Sequence, residues 1–333
     1  MSPEKPTRRR RYRGKNPRHF SGKYKEHAPE RYAAEIAKVI ASGKTPAGAH
    51  RPVMVREVLE VLAPQPGELA ADCTLGYGGH AEALLSAIQP GGRLIGLDVD
   101  PIEAPKTGAR LRKLGFGTDT LTVHRTNYAG LANVLHQPAD IVFADLGLSS
   151  MQMDNPARGF TYKYEGPLDM RMNPQRGKTA AEFLAKIDES KLAALLLENA
   201  DEPDAERIAH AVLQTPASTT TQLSAVIQRA GGDDDTVRRV FQALRIAVND
   251  EFGALDAFLH NLPFCLNAGG RVAILTFHSG EDRRVKTSFQ SGERSGLYSR
   301  TAHEVLRPTA EEVRSNPRSR STKLRWARRG IIS

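Results

Sequence analysis

The residues best placed to do chemistry begin at Asp72-Cys73-Thr74-Leu75-Gly76-Tyr77-Gly78-Gly79-His80. Glycines at this spacing let a backbone turn sharply and approach a ligand closely, as at the first strand-to-helix turn of a doubly wound sheet. Asp98 stands 20 residues after Gly78, where an acidic side chain takes the hydroxyls of an adenosine ribose. Together they point to a cofactor that contains adenosine. Dinucleotides and S-adenosylmethionine share this design, and Ala81 in the third-glycine place is a permitted variant, so the turn alone leaves both open. No Gly-Lys-Ser/Thr follows, which excludes a P-loop nucleotidase.

Two further groups fall where strands should end. One is Asp145-Leu146-Gly147-Leu148-Ser149-Ser150 and the other His278-Ser279-Gly280-Glu281-Asp282. Ligands of open α/β sheets sit beyond such carboxyl ends. His278 is a candidate general base, a ribose or phosphate contact, or a helix-start residue. Ser279 is a candidate catalytic group or a helix cap. Just beyond the first group, Arg158-Gly159-Phe160-Thr161-Tyr162-Lys163-Tyr164 interleaves aromatics with cations. Such a stretch offers stacking faces to a single-stranded base and cations to its phosphates, or else it packs a helical segment.

The elements that must position these groups follow an alternation of short apolar strand and helix, the pattern of a parallel sheet covered on both faces. Leu69–Cys73, Leu94–Leu97, Leu121–His124 and Ile141–Ala144 read as strands, with helical stretches around Ala81–Gln89, Ile102–Leu114 and Tyr128–Leu135 between them. A helix from near Pro52, with Val55, Val58, Leu59 and Leu62 on one face, precedes them. From Met151 to about Gly232 no strand is expected and four short helices are. The sheet then resumes through one long helix, with Val237, Val240, Phe241, Leu244, Val248, Phe252, Leu255 and Leu259 on one face, leading to strand Arg271–Phe277. Lys323–Ala327 is a last strand candidate. The fold class is thus α/β, a doubly wound, mostly parallel sheet interrupted by a helical insertion. Its expected parts are a basic, largely disordered extension at 1–48, a sheet domain at 49–150 and 233–333, and the helical insertion at 151–232.

Composition narrows the function classes. The 333 residues are 26% charged and 40% hydrophobic, a globular balance. No apolar run is long enough to span a bilayer and no secretory signal is recognisable, so no membrane partner is expected. Cys73 and Cys265 lie far apart, which excludes a disulfide framework and a cysteine-rich zinc module, so no metal is expected and a cytoplasmic location is. The net charge of +9 is unevenly spread. Residues 1–27 carry ten Lys/Arg against two Asp/Glu and residues 283–333 carry thirteen against four, so the body between is acidic. Basic ends of this kind attract nucleic-acid phosphates.

The blocks His50-Arg51-Pro52-Val53-Met54, Asp72–His80, Asp145–Ser150 with Gln152, Arg158-Gly159-Phe160, Gly166-Pro167-Leu168-Asp169-Met170-Arg171-Met172, Phe241–Asn249 and Phe277-His278-Ser279 occur in this order and at compatible spacing. In these blocks, from about His50 to Arg329, the sequence resembles the bacterial 16S ribosomal RNA (cytosine-N4)-methyltransferase family, called RsmH or MraW. The resemblance implies a Rossmann-like methyltransferase sheet interrupted by a helical domain. It implies S-adenosylmethionine as cofactor and the exocyclic N4 of a decoding-centre cytidine as methyl acceptor. It assigns Gly78, Gly79, His80, Asp98, Tyr128, Asp145 and Gln152 to the cofactor, while Asp145, His278 and Ser279 are catalytic candidates by their place at strand ends. Substrate contacts are expected from Arg158, Phe160, Tyr162, Arg171 and Asn249.

The expected partner is 16S rRNA within an assembled small ribosomal subunit, with a homodimer left open. Gly280 stands where the family usually has leucine, and Asp201-Glu202-Pro203-Asp204 replaces its Tyr-Gly-Glu-Glu. The rival readings are a nicotinamide-dependent oxidoreductase, a non-catalytic ribosome-binding protein of the same fold, and a DNA cytosine-N4 methyltransferase. The last would place an Asp/Asn/Ser-Pro-Pro-aromatic block after the fourth strand, where Asp145-Leu146-Gly147-Leu148 stands instead.

Overall fold

The computed structural model describes residues 52–331. The basic extension, its short helix expected at Pro29–Ile40, and His50-Arg51 lie outside the described residues. Helix α1 (Val55–Leu62) buries Val58 and Leu62 and is followed by β1 (Leu69–Asp72), α2 (Gly79–Ala87), β2 (Arg93–Leu97), α3 (Glu103–Lys113), β3 (Leu121–His124), α4 (Leu131–Val134) and β4 (Ala139–Asp145). After α5 (Ser150–Asp154) come α6 (Ala180–Leu184), α7 (Glu189–Ala200), α8 (Ala205–Gln214), α9 (Thr220–Arg229), α10 (Asp234–Asn249) and α11 (Glu251–Asn261). Then β5 (Leu266–Thr276), α12 (Ser279–Arg294), β6 (Tyr298–Thr301), α13 (Ala310–Ser315) and β7 (Lys323–Arg329) complete the chain.

The seven strands form one sheet in the order β3-β2-β1-β4-β5-β7-β6. The first five are parallel, and β7 runs antiparallel to both β5 and β6. This is the expected doubly wound, mostly parallel sheet. The order reverses at β1, between β2 and β4, so the crevice for a ligand opens beyond Asp72 and Asp145. One apolar cluster lies on each face of the sheet. Val142, Ile274 and Phe258 belong to one, and Leu84, Phe143 and Leu275 to the other.

A third cluster takes no residue from the sheet and joins the helices to the loop before α6; it includes Phe160, Leu192, Leu196, Ile208, Leu223, Ile227, Val237, Phe241 and Leu244. The single long helix expected across Val237–Leu259 is two helices. Asp250 between them is left-handed at φ 50°, so α10 packs with the helical body while α11 returns to the sheet. Strand β5 starts at Leu266, earlier than the expected Arg271, because the chain pairs with β4 on both sides of a register shift. Strand β6 is not among the strands expected from the sequence. It is a four-residue edge strand whose two middle residues, Ser299 and Arg300, are exposed, a pattern that charged edge strands share with loops.

Candidate active site

The glycine turn is held in shape from three directions. Gly76 and Gly78 are left-handed at φ 47° and 79°. A Cβ on Gly78 would come within 2.7 Å of Thr107, and one on Gly79 within 2.8 Å of Pro52. Any side chain there would therefore displace α3 or the chain before α1. Asp98, at the end of β2, accepts the Gly76 N–H at 2.7 Å on one oxygen and the Asp100 N–H at 2.8 Å on the other. It braces the turn and still has lone pairs to offer a hydroxyl. Arg110 of α3 donates to the Tyr77 carbonyl at 2.7 and 3.2 Å, lies over the Tyr77 ring and pairs with Glu82.

His80 is turned inward. Its Nε2 is 2.8 Å from the Val53 carbonyl and its Nδ1 is 3.7 Å from Asp145 Oδ2, with the ring against Phe143. Asp145 ends β4, and its N–H donates to Thr74 Oγ1 at 2.6 Å. Its side chain is 28% exposed, yet Oδ1 is buried and accepts no hydrogen bond. An orphaned carboxylate oxygen at the topological switch point marks a place for a donor or a cation. Burial first, then the Asp72 and Glu281 charges, push Asp145 up to about 8. Burial also raises Asp72 to about 7 and Asp98 to about 6, despite the N–H groups they accept.

Among the expected cofactor residues, Gly78, Gly79, Asp98 and Asp145 lie together beyond the carboxyl ends of β1, β2 and β4. Tyr128 follows β3, donates its hydroxyl to the Glu251 carbonyl at 3.2 Å and sets its ring edgewise on Phe258. Gln152 is engaged elsewhere. Its oxygen accepts the Ser149 N–H in a capping box, and its nitrogen donates to Asp100 at 2.8 Å.

Asp100 braces the site and is not among the residues expected from the sequence. It is fully buried, caps α3 through the Ile102 N–H, and takes a 2.8 Å ion pair from Arg158. Arg158 also donates to the Arg171 and Met172 carbonyls and is 10% exposed. Its guanidinium pins the loop after β4 and is not free for a phosphate. Asp100→Ala would strand Arg158 as an unpaired buried charge. It is expected to cost about 3–5 kcal/mol in a urea titration, with the cleft loosened before the fold is lost.

The remaining substrate candidates also have structural partners. Phe160 is 5% exposed and belongs to the helical core, so it cannot serve as an open stacking face. Tyr162 is partly buried, edge-on to Phe241 at 5.2 Å, while Tyr164 is exposed. Arg171 forms a two-pronged pair with Asp169. Asn249 accepts the Met172 N–H and donates to the Met170 and Arg245 carbonyls, fixing the left-handed Met170.

At the end of β5, His278 is 11% exposed and its Nε2 lies 3.1 Å from Glu281 Oε1. Glu281 is buried and accepts the Phe277 N–H. Burial pushes its carboxyl up, but His278, Arg245 and that N–H together hold it below its ordinary value. Ser279 is exposed and donates to Asp201 at 3.0 Å, reaching the helical body rather than the cleft. Gly280 leaves room for Phe252, which a Cβ there would meet at 2.6 Å. The Phe252 ring carries Arg284 at 3.6 Å and stands beside His278.

The cradle, the orphaned Oδ1 and the acidic lining suit a cofactor that is itself cationic. Three buried or half-buried carboxylates oppose the doubly charged pyrophosphate of a dinucleotide. The family model described as MraW methylase matches residues 47–330. The chain belongs to the MraW methylase family. Curated relatives in this family include "Ribosomal RNA small subunit methyltransferase H 1" of Lachnoclostridium phytofermentans, 48% identical over 96% of this chain and 92% of its own length. The corresponding protein "H 2" of Alkaliphilus metalliredigens is 48% identical over 97% and 98%, and "H 1" of Agathobacter rectalis is 45% identical over 98% and 99%. Membership makes the protein a methyltransferase, and the oxidoreductase reading falls.

Proposed function

We propose that this protein transfers the methyl group of S-adenosylmethionine to the exocyclic N4 of a cytidine in the decoding centre of 16S rRNA, in the cytoplasm and within an assembled small subunit. The observation that carries the reading is the unpartnered, buried Oδ1 of Asp145 beside the glycine turn. By this reading Gly78, Gly79 and Asp98 hold the cofactor with Tyr128 beside its adenine, and the helical body from Met151 through α10 grips the RNA. The cofactor supplies a methyl group on a positively charged sulfur.

The chain has to supply alignment and hydrogen-bond acceptors. The N4 of a stacked, paired cytosine is engaged at the base edge, so the base must leave its stack to reach the cleft. Its lone pair is delocalised into the ring, which makes it a poor nucleophile. Asp145 accepts a hydrogen from N4 and holds the amine in line, and positive charge developing on nitrogen strengthens that bond. The nitrogen becomes acidic only as it alkylates, so its proton passes to Asp145 late and no strong base is needed beforehand. His80 packs beside Asp145 with its Nε2–H donated to the Val53 carbonyl. His278 and Glu281 support the rim from the neighbouring strand.

The test is methyl transfer from labelled cofactor to small subunits, naked 16S rRNA and DNA in parallel, with mass mapping of the product. Label on a single cytidine N4 of small-subunit RNA is the expected result. Label on DNA, on a ring carbon or on ribose would overturn the assignment.

A further inference from the structure

The basic C-terminal stretch, which the cofactor site does not use, is folded over the same rim as that site. Thr276, the last residue of β5, pairs with Lys323, the first of β7. Leu306 bridges to Leu324. The segment between Leu306 and Lys323 therefore lies beyond the carboxyl ends of the parallel strands, where the cleft opens. It is tied down at both borders of that cleft. Glu312 of α13 accepts the Met54 N–H at 2.7 Å, next to the Val53 carbonyl that holds His80. Arg318 pairs with Asp154, the last residue of α5. At its end, Lys323 and Arg325 both grip Asp282 of α12.

From Arg314 to Thr322 this strap reads Arg-Ser-Asn-Pro-Arg-Ser-Arg-Ser-Thr, three arginines and no carboxylate. Arg314 and Arg320 are exposed, as is Arg307 where the strap begins. Among the described residues, no carboxylate lies at ion-pair distance from any of the three, whereas Arg110, Arg158, Arg239, Arg245 and Arg271 are all paired. An exposed unpaired guanidinium on an anchored loop has little intramolecular work and is set up for a phosphate.

We propose that the strap docks the ribose-phosphate backbone of the substrate RNA beside the flipped nucleotide, with Arg307, Arg314 and Arg320 as its phosphate contacts. The inference rests on the RNA methyltransferase reading above and adds the surface through which the strand is led to the cleft. These contacts position the chain of phosphates and carry no sequence information. Their loss should weaken every RNA alike.

The experiment compares the full-length protein with Arg314→Ala/Arg320→Ala and with Arg314→Lys/Arg320→Lys. The readouts are binding to naked 16S rRNA and to small subunits over a salt series, and initial rates of methylation. The alanine pair is expected to weaken RNA binding about tenfold and to flatten the slope of log affinity against log salt by about 1.4. The loss in kcat/KM should lie in KM. The lysine pair should recover most of the slope, and calorimetric affinity for S-adenosylmethionine should match the parent in both, which shows an intact fold. An unchanged slope in the alanine pair, while the parent binds and methylates RNA, overturns the docking surface alone. A parent that transfers no methyl group to RNA overturns the underlying reading. A defect seen with assembled subunits but absent with naked RNA assigns the strap to a ribosomal protein and overturns its assignment to RNA.

Discussion

Asp145→Asn is expected to lower single-turnover methyl transfer by two or more orders of magnitude, about 2.7 kcal/mol or more of transition-state stabilisation. The substitution keeps the shape of the side chain. It also keeps the backbone bond from the Asp145 N–H to Thr74 that fixes the end of β4. What it changes is Oδ1 and Oδ2, one of which becomes an NH2 that can only donate. A donor facing the hydrogens of an amine repels where the carboxylate attracts. Asp145→Ala should act similarly on the rate. His278→Ala should act less on the rate and more on stability, because buried Glu281 would lose the ring that lies 3.1 Å from it and helps hold its carboxyl below the ordinary value. If saturating cofactor restores the full rate of Asp145→Asn, Asp145 serves binding only, and the acceptor of the N4 hydrogens is another group on the rim.

How far these groups could be read from the sequence depended on whether local conformation or distant packing determined them. The turn at Gly76–Gly79 was legible because left-handed backbone and close approach both demand glycine, and Asp98 because the spacing of a strand-helix-strand unit is nearly fixed. The parallel sheet followed from the alternation of elements, since a helix between two strands leaves few other topologies. Asp100 was not legible as a node. Its partners Gln152 and Arg158 lie more than fifty residues on, although Asp98-Val99-Asp100-Pro101 ahead of a helix was a local sign of capping.

The break at Asp250 escaped because the apolar residues run in helical register on both sides of it, and only the left-handed backbone sends the two halves to different cores. Phe160 illustrates the opposite failure. Alternating aromatics and cations read the same whether the rings face RNA or each other. Burial within the helical cluster decided for packing, and the only exposed ring of that stretch is Tyr164.

A cofactor affinity that rises steeply with pH is the second large expected effect, and its sign follows from the three carboxylates. Burial is the leading cause in each case and holds Asp98 at about 6, Asp72 at about 7 and Asp145 at about 8. Asp72 raises Asp145 further from β1, Glu281 does so from α12, and His80 faces it from α2. All three folded values exceed the unfolded one, so the cofactor-free protein binds more protons folded than unfolded. Its stability from these groups is present at acid pH and declines as pH rises from about 4 through 8.

A cation in the cleft favours the ionised carboxylates, so binding S-adenosylmethionine must expel protons. Affinity should then improve by up to about tenfold per pH unit for each proton released between pH 6 and 8. S-adenosylhomocysteine lacks the charge on sulfur and should release fewer. Calorimetry in buffers of different ionisation enthalpy counts those protons directly, and thermal midpoints of the cofactor-free protein give the opposite trend. Equal proton release for the two ligands, or a cofactor-free midpoint that climbs from pH 5 to 8, would remove the electrostatic basis of the preference. With the expected result, the same carboxylates that draw in the charged cofactor lose their hold once the methyl group and its charge have gone, and product leaves a site whose protons return.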